Sequence, residues 1–274
     1  MNFKKAMRKY LYLTMNSISQ KVSIGDQSAT KSSNRLIPTV VYQTAPSRWL
    51  SPRHASEIQA FREMNPDLDF VLFQDLDMDT YMSQSWPSHP ILDVYRGCRI
   101  PQMKADIFRY CIVFERGGYY CDINKAVFKR LTSLSKPDTR GLVAYESNEC
   151  VVFPEQGVAE KMQFPEKLLG QWAFGFVPEH PILGYAIAAI VEVAPFINGR
   201  SVKNVRDAVL MTTGPGVFTR SFRHWLDTED SAAVKQAGID FDGHGVFRVK
   251  GSEPFGFRKP DYYAALHNRK ILVM

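Results

Sequence analysis

The sequence predicts an α/β protein built on a mostly parallel β-sheet with helices on both faces. Two short segments rich in β-branched and aromatic residues, 36–44 and 69–75, flank a helical pattern over 51–63. Both segments are almost continuously apolar, as expected of parallel strands that are covered on both faces. A third unit follows at 102–124, where a helical pattern runs through a double glycine into an aromatic strand.

The composition is that of an ordinary globular protein. The 274 residues are 45% hydrophobic and 23% charged, which is enough apolar material to bury a sizeable core. This excludes disordered, collagen-like and disulfide-scaffold classes. The most apolar stretch, Ile182–Ile197, is interrupted by Glu192 and Pro195, so we expect no membrane-spanning helix. The four cysteines form no C-x-x-C pair and no signal-peptide pattern is found, so we expect reduced thiols and a cytoplasmic location.

The net charge of +6 lies entirely in residues 1–35, where seven Lys and Arg side chains face the single acid Asp26, so that 7 − 1 = +6. Cations at positions 4, 5, 8 and 9 alternate with apolar residues at near-helical spacing. This pattern predicts either an amphipathic helix on an anionic membrane surface, at the inner face of the cytoplasmic membrane, or a solvated tail. The body is neutral and lacks nucleic-acid-binding motifs, so we expect no nucleic-acid partner.

The other elements follow from hydrophobic periodicity in chain order. Ser51-Pro52 opens the first helix, because a capping residue followed by proline favours a helix N-terminus. Strands are predicted at 36–44, 69–75, 119–124, 141–147 and 172–177. Helices are predicted at 51–63, 102–116, 181–196, 202–210 and 217–226. The polar segment 25–34 predicts a linker, so a single domain is expected over 36–274, and the segment after Ile239 shows no clear periodicity.

The helix and strand of 102–124 predict a cluster of polar residues. Asp106 and Arg109 are three apart and share one helix face. The helix covers about 15 Å from Asp106 to its end, and the strand returns about 13 Å to Asp122. Both residues therefore lie level with Asp122 and Asn124 at the carboxyl edge of the sheet, where such folds bind ligands. The strand period of two directs these last two side chains to one side, where their oxygens can meet a divalent cation.

Each of these features alone has a simpler structural explanation. An Asp–Arg pair at this spacing is most often a surface ion pair worth at most about 1 kcal/mol. Asp122 alone could begin a turn. The context argues for a site, because an apolar helix, the pair Gly117-Gly118 and an aromatic strand bring both charged groups to the same rim.

This segment resembles the donor site of glycosyltransferase family 32, which is related to initiating α-mannosyltransferases, bacterial capsule and lipopolysaccharide sugar transferases, and the catalytic domains of clostridial glucosylating toxins. The most specific signature is Lys104-Ala-Asp106…Arg109-Tyr110…Gly117-Gly118-Tyr-Tyr-Cys-Asp122. Four further blocks are similar in the same order: Ile37-Pro38 with Tyr42-Gln43-Thr44, Asn65-Pro66 before 70–75, Pro178-Glu-His180-Pro181, and Thr213-Gly214-Pro215. The resemblance implies a Rossmann-like fold of the GT-A type.

The resemblance also implies donor-binding roles. Asp106 and Arg109 would contact the donor sugar, and Arg109 would also face the diphosphate. Asp122 would contact the ribose. The end of the first strand would border the nucleobase with Tyr42, Gln43 and Thr44.

The implied metal ligands are Asp122, Asn124 and the late residue His267. The family's second Asp of D-x-D is Asn124 here. An amide oxygen still ligates Mg²⁺ or Mn²⁺, but one negative charge is lost. The sequence therefore predicts either weaker metal binding or a degenerate site.

We therefore expect a retaining glycosyltransferase that moves a hexose from UDP- or GDP-hexose to a glycan or glycolipid, as in surface polysaccharide synthesis, assisted by Mn²⁺ or Mg²⁺. Asp106 and Glu146 are suitable catalytic groups by residue type only, so no nucleophile or base is assigned. One alternative is a toxin-like transferase that modifies a protein. The other is a non-catalytic nucleotide-sugar-binding protein, which only Asn124 favours.

Overall fold

The computed structural model describes residues 21–150, 153–228, 233–246 and 267–274. The helices are α1 (Pro52–Met64), α2 (Asp75–Ser85), α3 (Ile91–Gly97), α4 (Pro101–Arg116), α5 (Gln156–Ala159), α6 (Pro181–Ile197), α7 (Val205–Thr212) and α8 (Pro215–Thr228). The strands are β1 (Val22–Ser23), β2 (Val40–Thr44), β3 (Trp49–Leu50), β4 (Asp69–Phe73), β5 (Gly118–Cys121), β6 (Ala126–Val127), β7 (Gly141–Glu149), β8 (Lys167–Leu169), β9 (Ala173–Phe176), β10 (Ser201–Asn204), β11 (Val234–Ile239), β12 (Gly245–Val246) and β13 (His267–Lys270).

A mixed sheet forms the centre of the molecule, with strand order β11-β7-β9-β5-β2-β4 and β8 added beside β7. Strand β2 pairs in parallel with β4 and β5, and β11 pairs in parallel with β7. Strand β9 runs antiparallel to both of its neighbours, β5 and β7. The predicted α/β class with a mostly parallel sheet is confirmed.

The core lies on both faces of this sheet, because successive strand residues point to opposite sides. Tyr120 packs with Phe108 of α4 and with residues of α6 and α8. Its neighbour Tyr119 packs on the other face with Phe61 of α1 and Phe70 of β4. Strand β5 is thus buried on both sides, as its apolar sequence predicts.

Helix α1 illustrates how local sequence signals set the elements. Ser51 caps it by accepting a hydrogen bond from the backbone N–H of His54 at 3.2 Å, and Pro52 occupies the first turn. Helix α4 begins at Pro101, one residue before the predicted start, and ends at Arg116 as predicted, with Gly117 as its C-cap.

Several elements differ from the sequence prediction. Helices α2 and α3 follow β4 and were not predicted, since their apolar periodicity is weak. Strand β5 ends at Cys121, so Asp122 and Asn124 lie in the turn that follows it. The predicted helix 202–210 divides into β10 and α7, because the side chain of Asn204 caps a helix that begins at Val205.

The folded part extends upstream of residue 36. Strand β1 pairs with β3, and Gln27 exchanges two backbone hydrogen bonds with Phe70. The carboxylate of Asp26 accepts from the backbone N–H of Leu72 at 2.9 Å. These contacts cover the free edge of β4, which would otherwise expose unpaired backbone groups. Residues 1–20 of the predicted basic tail lie outside the described residues.

Within the described ranges, no helix is both long enough and apolar enough to cross a membrane. The four cysteines are free, and Cys98, Cys111 and Cys121 are buried. Cys150 is half-buried.

Candidate active site

A cavity of about 870 Å³ opens at the carboxyl edge of β2 and β5. Because β9 runs in the opposite direction, the residues before its first residue reach the same edge. Helix α4 forms one wall, and α7 with the start of α8 forms another. The lining includes Thr44, Pro46, Gln102, Asp106, Arg109, Asp122, Asn124, Lys125, Glu146, Cys150, Gln171, Trp172, Arg206, Leu210, Met211 and Pro215.

Arg109 joins the helix to the strand at this rim. Its Nη2 lies 3.3 Å from Oδ1 of Asp106 and 3.3 Å from Oδ1 of Asp122. Its Nη1 donates to the backbone carbonyl of Gln171 at 3.1 Å, and its guanidinium lies 4.4 Å from the ring centroid of Tyr120. The convergence of Asp106, Arg109 and Asp122 expected from the helix and strand lengths is therefore observed.

Burial controls the charges of this group. It raises the pKa of Asp106 to about 6, although Arg109 and a 2.9 Å hydrogen bond from Thr213 Oγ1 act in the opposite direction. Burial also disfavours the charged form of Arg109. Its neighbours Tyr120, Asp122 and Asp106 outweigh that effect and hold the pKa of the guanidinium above its ordinary value.

Asp122 is bound through both carboxylate oxygens. Oδ1 accepts from the hydroxyl of Tyr120 at 3.1 Å and faces Arg109, while Oδ2 lies 3.4 Å from Nζ of Lys125. The Tyr120 hydroxyl lies 2.9 Å from Oγ1 of Thr44 at the end of β2. The two adjacent parallel strands are thus linked at the floor of the cavity.

The predicted nucleobase residues have different positions. Thr44 lines the cavity. Tyr42 is in the core beside Phe73, and Gln43 is buried on the opposite face of β2, where it accepts from Nη2 of Arg62 at 3.3 Å. The alternation of side chains along the strand directs Gln43 to the other face, and Tyr42 is packed into the core, so Thr44 alone of the three contributes to the lining.

The predicted metal ligands do not form a complete site among the described residues. Asn124 lines the cavity and is exposed, while the side chain of His267 lies outside the described part of the chain. No group of three or more His, Cys, Asp or Glu side chains in the described ranges is placed to hold a metal ion. Asp122 and Asn124 remain, and the Asp122 oxygen that is not shared with Arg109 faces an ammonium. As placed, these residues do not fit a divalent cation unless Lys125 moves.

The sequence reasoning missed several residues of this site. Gln171, Trp172 and Arg206 have no local motif that marks them. Thr213 belongs to the block Thr213-Gly214-Pro215, but nothing in the sequence indicates its hydrogen bond to Asp106. Lys125 had a usable signal, because it directly follows the D-x-N triplet in which the second acid is missing.

Residues 51–140 match the family model described as "Glycosyltransferase sugar-binding region containing DXD motif". These residues include α4, β5 and the Asp106–Arg109–Asp122 cluster. This part of the chain is therefore similar to the sugar-binding region of that glycosyltransferase family, and the predicted resemblance to family 32 is confirmed. The assignment of Asp122-Ile123-Asn124 to the D-x-D position stays a prediction.

Curated relatives agree with this assignment. The chain is 32% identical over 209 residues to a mannosyl phosphorylinositol ceramide synthase of Saccharomyces cerevisiae, covering 73% of this chain and 47% of that protein. It is 24% identical over 201 residues to an initiation-specific alpha-1,6-mannosyltransferase of Schizosaccharomyces pombe, covering 70% and 49%. The chain thus spans about half the length of these relatives.

A solved structure, the PaToxG glycosyltransferase, aligns with a TM-score of 0.50 at 14% identity, covering 82% of this chain and 78% of that chain. At this identity the likeness concerns the fold, which is the GT-A type that the sequence predicts.

Proposed function

We propose that this glycosyltransferase transfers a mannosyl residue from a nucleotide-sugar to a glycolipid acceptor, with retention of the anomeric configuration. The observation that carries the proposal is the Asp106–Arg109–Asp122 cluster on the wall of a large cavity at the carboxyl edge of the sheet. The names of the relatives support mannose as the sugar and a phosphoinositol lipid as the acceptor.

The donor half of the cavity has the charges that this reaction needs. Breaking a sugar–diphosphate bond develops negative charge on the leaving phosphate, which the cations Arg109 and Lys125 stabilise by electrostatic attraction. The carboxylate of Asp106 accepts hydrogen bonds from sugar hydroxyls, and the largely buried Trp172 forms part of the cavity wall. We assign these roles to side chains and not to Mn²⁺ or Mg²⁺, because the described residues do not fit a resident ion.

The other half of the cavity has a surface suited to a lipid-linked acceptor. Helix α7 contributes Val209, Leu210 and Met211, of which Met211 is exposed. Arg206, one turn earlier, adds a cation at the same wall. An apolar wall with one cation matches an acceptor that joins a phosphate to an apolar chain.

The test is a donor and acceptor panel. GDP-mannose, UDP-glucose and UDP-galactose are each incubated with phosphoinositol ceramide, with an α-mannoside and with a protein lysate. Products are analysed by mass spectrometry and by NMR of the new anomeric centre. We expect α-mannosyl transfer to the glycolipid, and its loss in Arg109→Met.

Two other results would replace this proposal. Nucleotide-sugar binding without release of nucleoside diphosphate from any donor would indicate a non-catalytic binding protein. Transfer to protein side chains alone would indicate a toxin-like transferase.

A further inference from the structure

Lys125 lies where the turn after β5 meets the cavity. Its Nζ lies 3.4 Å from Oδ2 of Asp122 and 5.4 Å from the ring centroid of Trp172. The side chain is 11% exposed, so the ammonium is largely withdrawn from water while it still lines the cavity.

Phe241 packs against the indole ring of Trp172 and holds it in place. The ring in turn limits where the side chain of Lys125 can lie. Phe241 is buried against the indole at a centroid distance of 5.5 Å. It belongs to a left-handed turn in which Asp240, Phe241 and Asp242 all have positive φ. The carboxyls of Asp240 and Asp106 also interact with the charge of Lys125, and Asp240 is the more exposed of the two acids. Burial raises the pKa of Asp240, and the charge of Lys125 opposes that effect.

The two carboxylate oxygens of Asp122 already face two cations, which leaves little attraction for a third. One carboxylate oxygen faces Arg109 and the other faces Lys125. Asn124 adds no charge. A divalent ion placed between Asp122 and Asn124 would meet the ammonium of Lys125 at close range, where repulsion between like charges is strong.

We infer that Lys125, rather than a divalent metal ion, supplies the second positive charge that faces the donor diphosphate. This inference rests on the proposed function, since it assigns the diphosphate to this cavity. It also explains Asn124. A carboxylate at that position would add a further negative charge next to Lys125 and Asp122 and weaken the attraction for a diphosphate, which the neutral amide of Asn124 does not. The ammonium lines the cavity and keeps its positive charge while it faces Asp122, so it can attract a diphosphate there.

The first experiment measures binding of GDP and UDP by isothermal titration calorimetry, in EDTA and then with Mn²⁺ or Mg²⁺. The variants are Lys125→Met, which keeps the apolar stem, and Lys125→Arg, which keeps the charge. Lys129→Met is the matched control, because Lys129 is exposed and does not line the cavity. Melting temperatures establish that each variant is folded.

We expect the wild type to bind in EDTA with an affinity within about threefold of that measured with Mn²⁺. Loss of one charged hydrogen bond should weaken binding by about tenfold to a hundredfold in Lys125→Met. Lys125→Arg should recover most of that loss, and Lys129→Met should match the wild type. Wild-type binding that requires Mn²⁺ and is unchanged in Lys125→Met would overturn the inference while leaving the proposed function intact. Absence of nucleotide binding under every condition would overturn both.

A double variant tests the link between the two positions. Asn124→Asp combined with Lys125→Met restores the second carboxylate of D-x-D and removes the competing ammonium. We expect this protein to bind GDP or UDP weakly in EDTA and at least about tenfold more tightly with Mn²⁺, because the ion can now take the place of the lysine. Equal dependence on Mn²⁺ in the wild type and the double variant would contradict the inference.

Discussion

At the scale of single residues, the site depends on one buried guanidinium. Each nitrogen of Arg109 has a partner: Nε donates to the Ala105 carbonyl at 3.3 Å, Nη1 to Gln171, and Nη2 faces two carboxylates. A planar group with fixed donor directions can hold a helix, a turn and a strand end in one arrangement, which a lysine could not. The carboxylates are therefore positioned before any ligand arrives.

The raised pKa of Asp106 makes a prediction about stability. Between about pH 4 and 6 the folded state binds more protons at this carboxyl than the unfolded state does. The free energy of unfolding of the wild type, relative to Asp106→Asn, should therefore fall as pH rises through this window, by up to about 3 kcal/mol. Urea unfolding of both proteins from pH 4 to 7.5 measures this difference. Asp138→Asn, at an exposed loop position, controls for the loss of one formal charge. If the free energy of unfolding of the wild type relative to Asp106→Asn rose with pH instead, the folded protein would favour the ionised carboxylate and the prediction would be wrong. At pH 7.5 the Asp106→Asn protein should be stable and should lack transferase activity.

At the scale of elements, the chain reversal between α4 and β5 determines how Asp106 and Arg109 on the helix align with Asp122 after the strand. Gly117 has a φ of 66° and Gly118 a φ of 101°. A Cβ on Gly117 would lie 2.6 Å from Cδ of Pro178 and 2.8 Å from Cδ of Pro38. Both positive φ values and close packing therefore require glycine here. A helix that ended one residue later would move Asp106 and Arg109 out of register with Asp122.

We predict that Gly117→Ala lowers the free energy of unfolding by about 2 to 4 kcal/mol, through the strained φ and the clash with the two prolines. The same variant should bind GDP or UDP more weakly, because α4 and β5 would shift along their axes and misalign Asp106 and Arg109 with Asp122. Chemical denaturation and calorimetry measure the two effects. Gly157→Ala is the matched control, since a Cβ at Gly157 meets nothing within 4 Å. Equal stability of the two variants would show that the reversal tolerates a side chain.

At the scale of the whole molecule, the sheet order determines where ligands bind. Strand β5 has a parallel neighbour, β2, on one side and an antiparallel neighbour, β9, on the other. The change of direction opens a crevice between strand ends, which is where open α/β sheets bind ligands. Residue 21 directly precedes β1, which pairs with β3, and Gln27 pairs with Phe70 of the edge strand β4.

A prediction from the sequence concerns this segment. Residues 1–20 contain four cations and no acid, so their deletion removes a charge of +4. The deletion should end at residue 20, because Ile24 and Asp26 belong to the folded body. We expect the full chain to cosediment with vesicles containing anionic phospholipid, and to be released as salt screens the charges. The truncated protein should remain in solution and retain turnover of a soluble acceptor. Equal cosedimentation of both proteins would exclude the segment as the membrane contact.

Features that depend on distances along a short stretch of chain could be predicted from the amino-acid sequence. The helix from Pro101, its end at Gly117 and the return along β5 follow from fixed rises per residue, so the meeting of Asp106, Arg109 and Asp122 could be predicted. The sheet class followed from apolar runs in the same way. The roles of these residues as donor and metal contacts stay predictions.

Contacts between segments that are distant in sequence could not be predicted and became visible in the folded protein. The insertion of β9 in reverse between β5 and β7 brings Gln171 and Trp172 to the site, and no periodicity encodes that order. Thr213 reaches Asp106 across 107 positions. The end of β5 at Cys121 places Lys125 beside Asp122 and replaces the predicted strand geometry of Asn124 with a turn. The physical reason is that local spacing fixes displacement along an element, whereas the neighbours of a side chain depend on how complete elements pack.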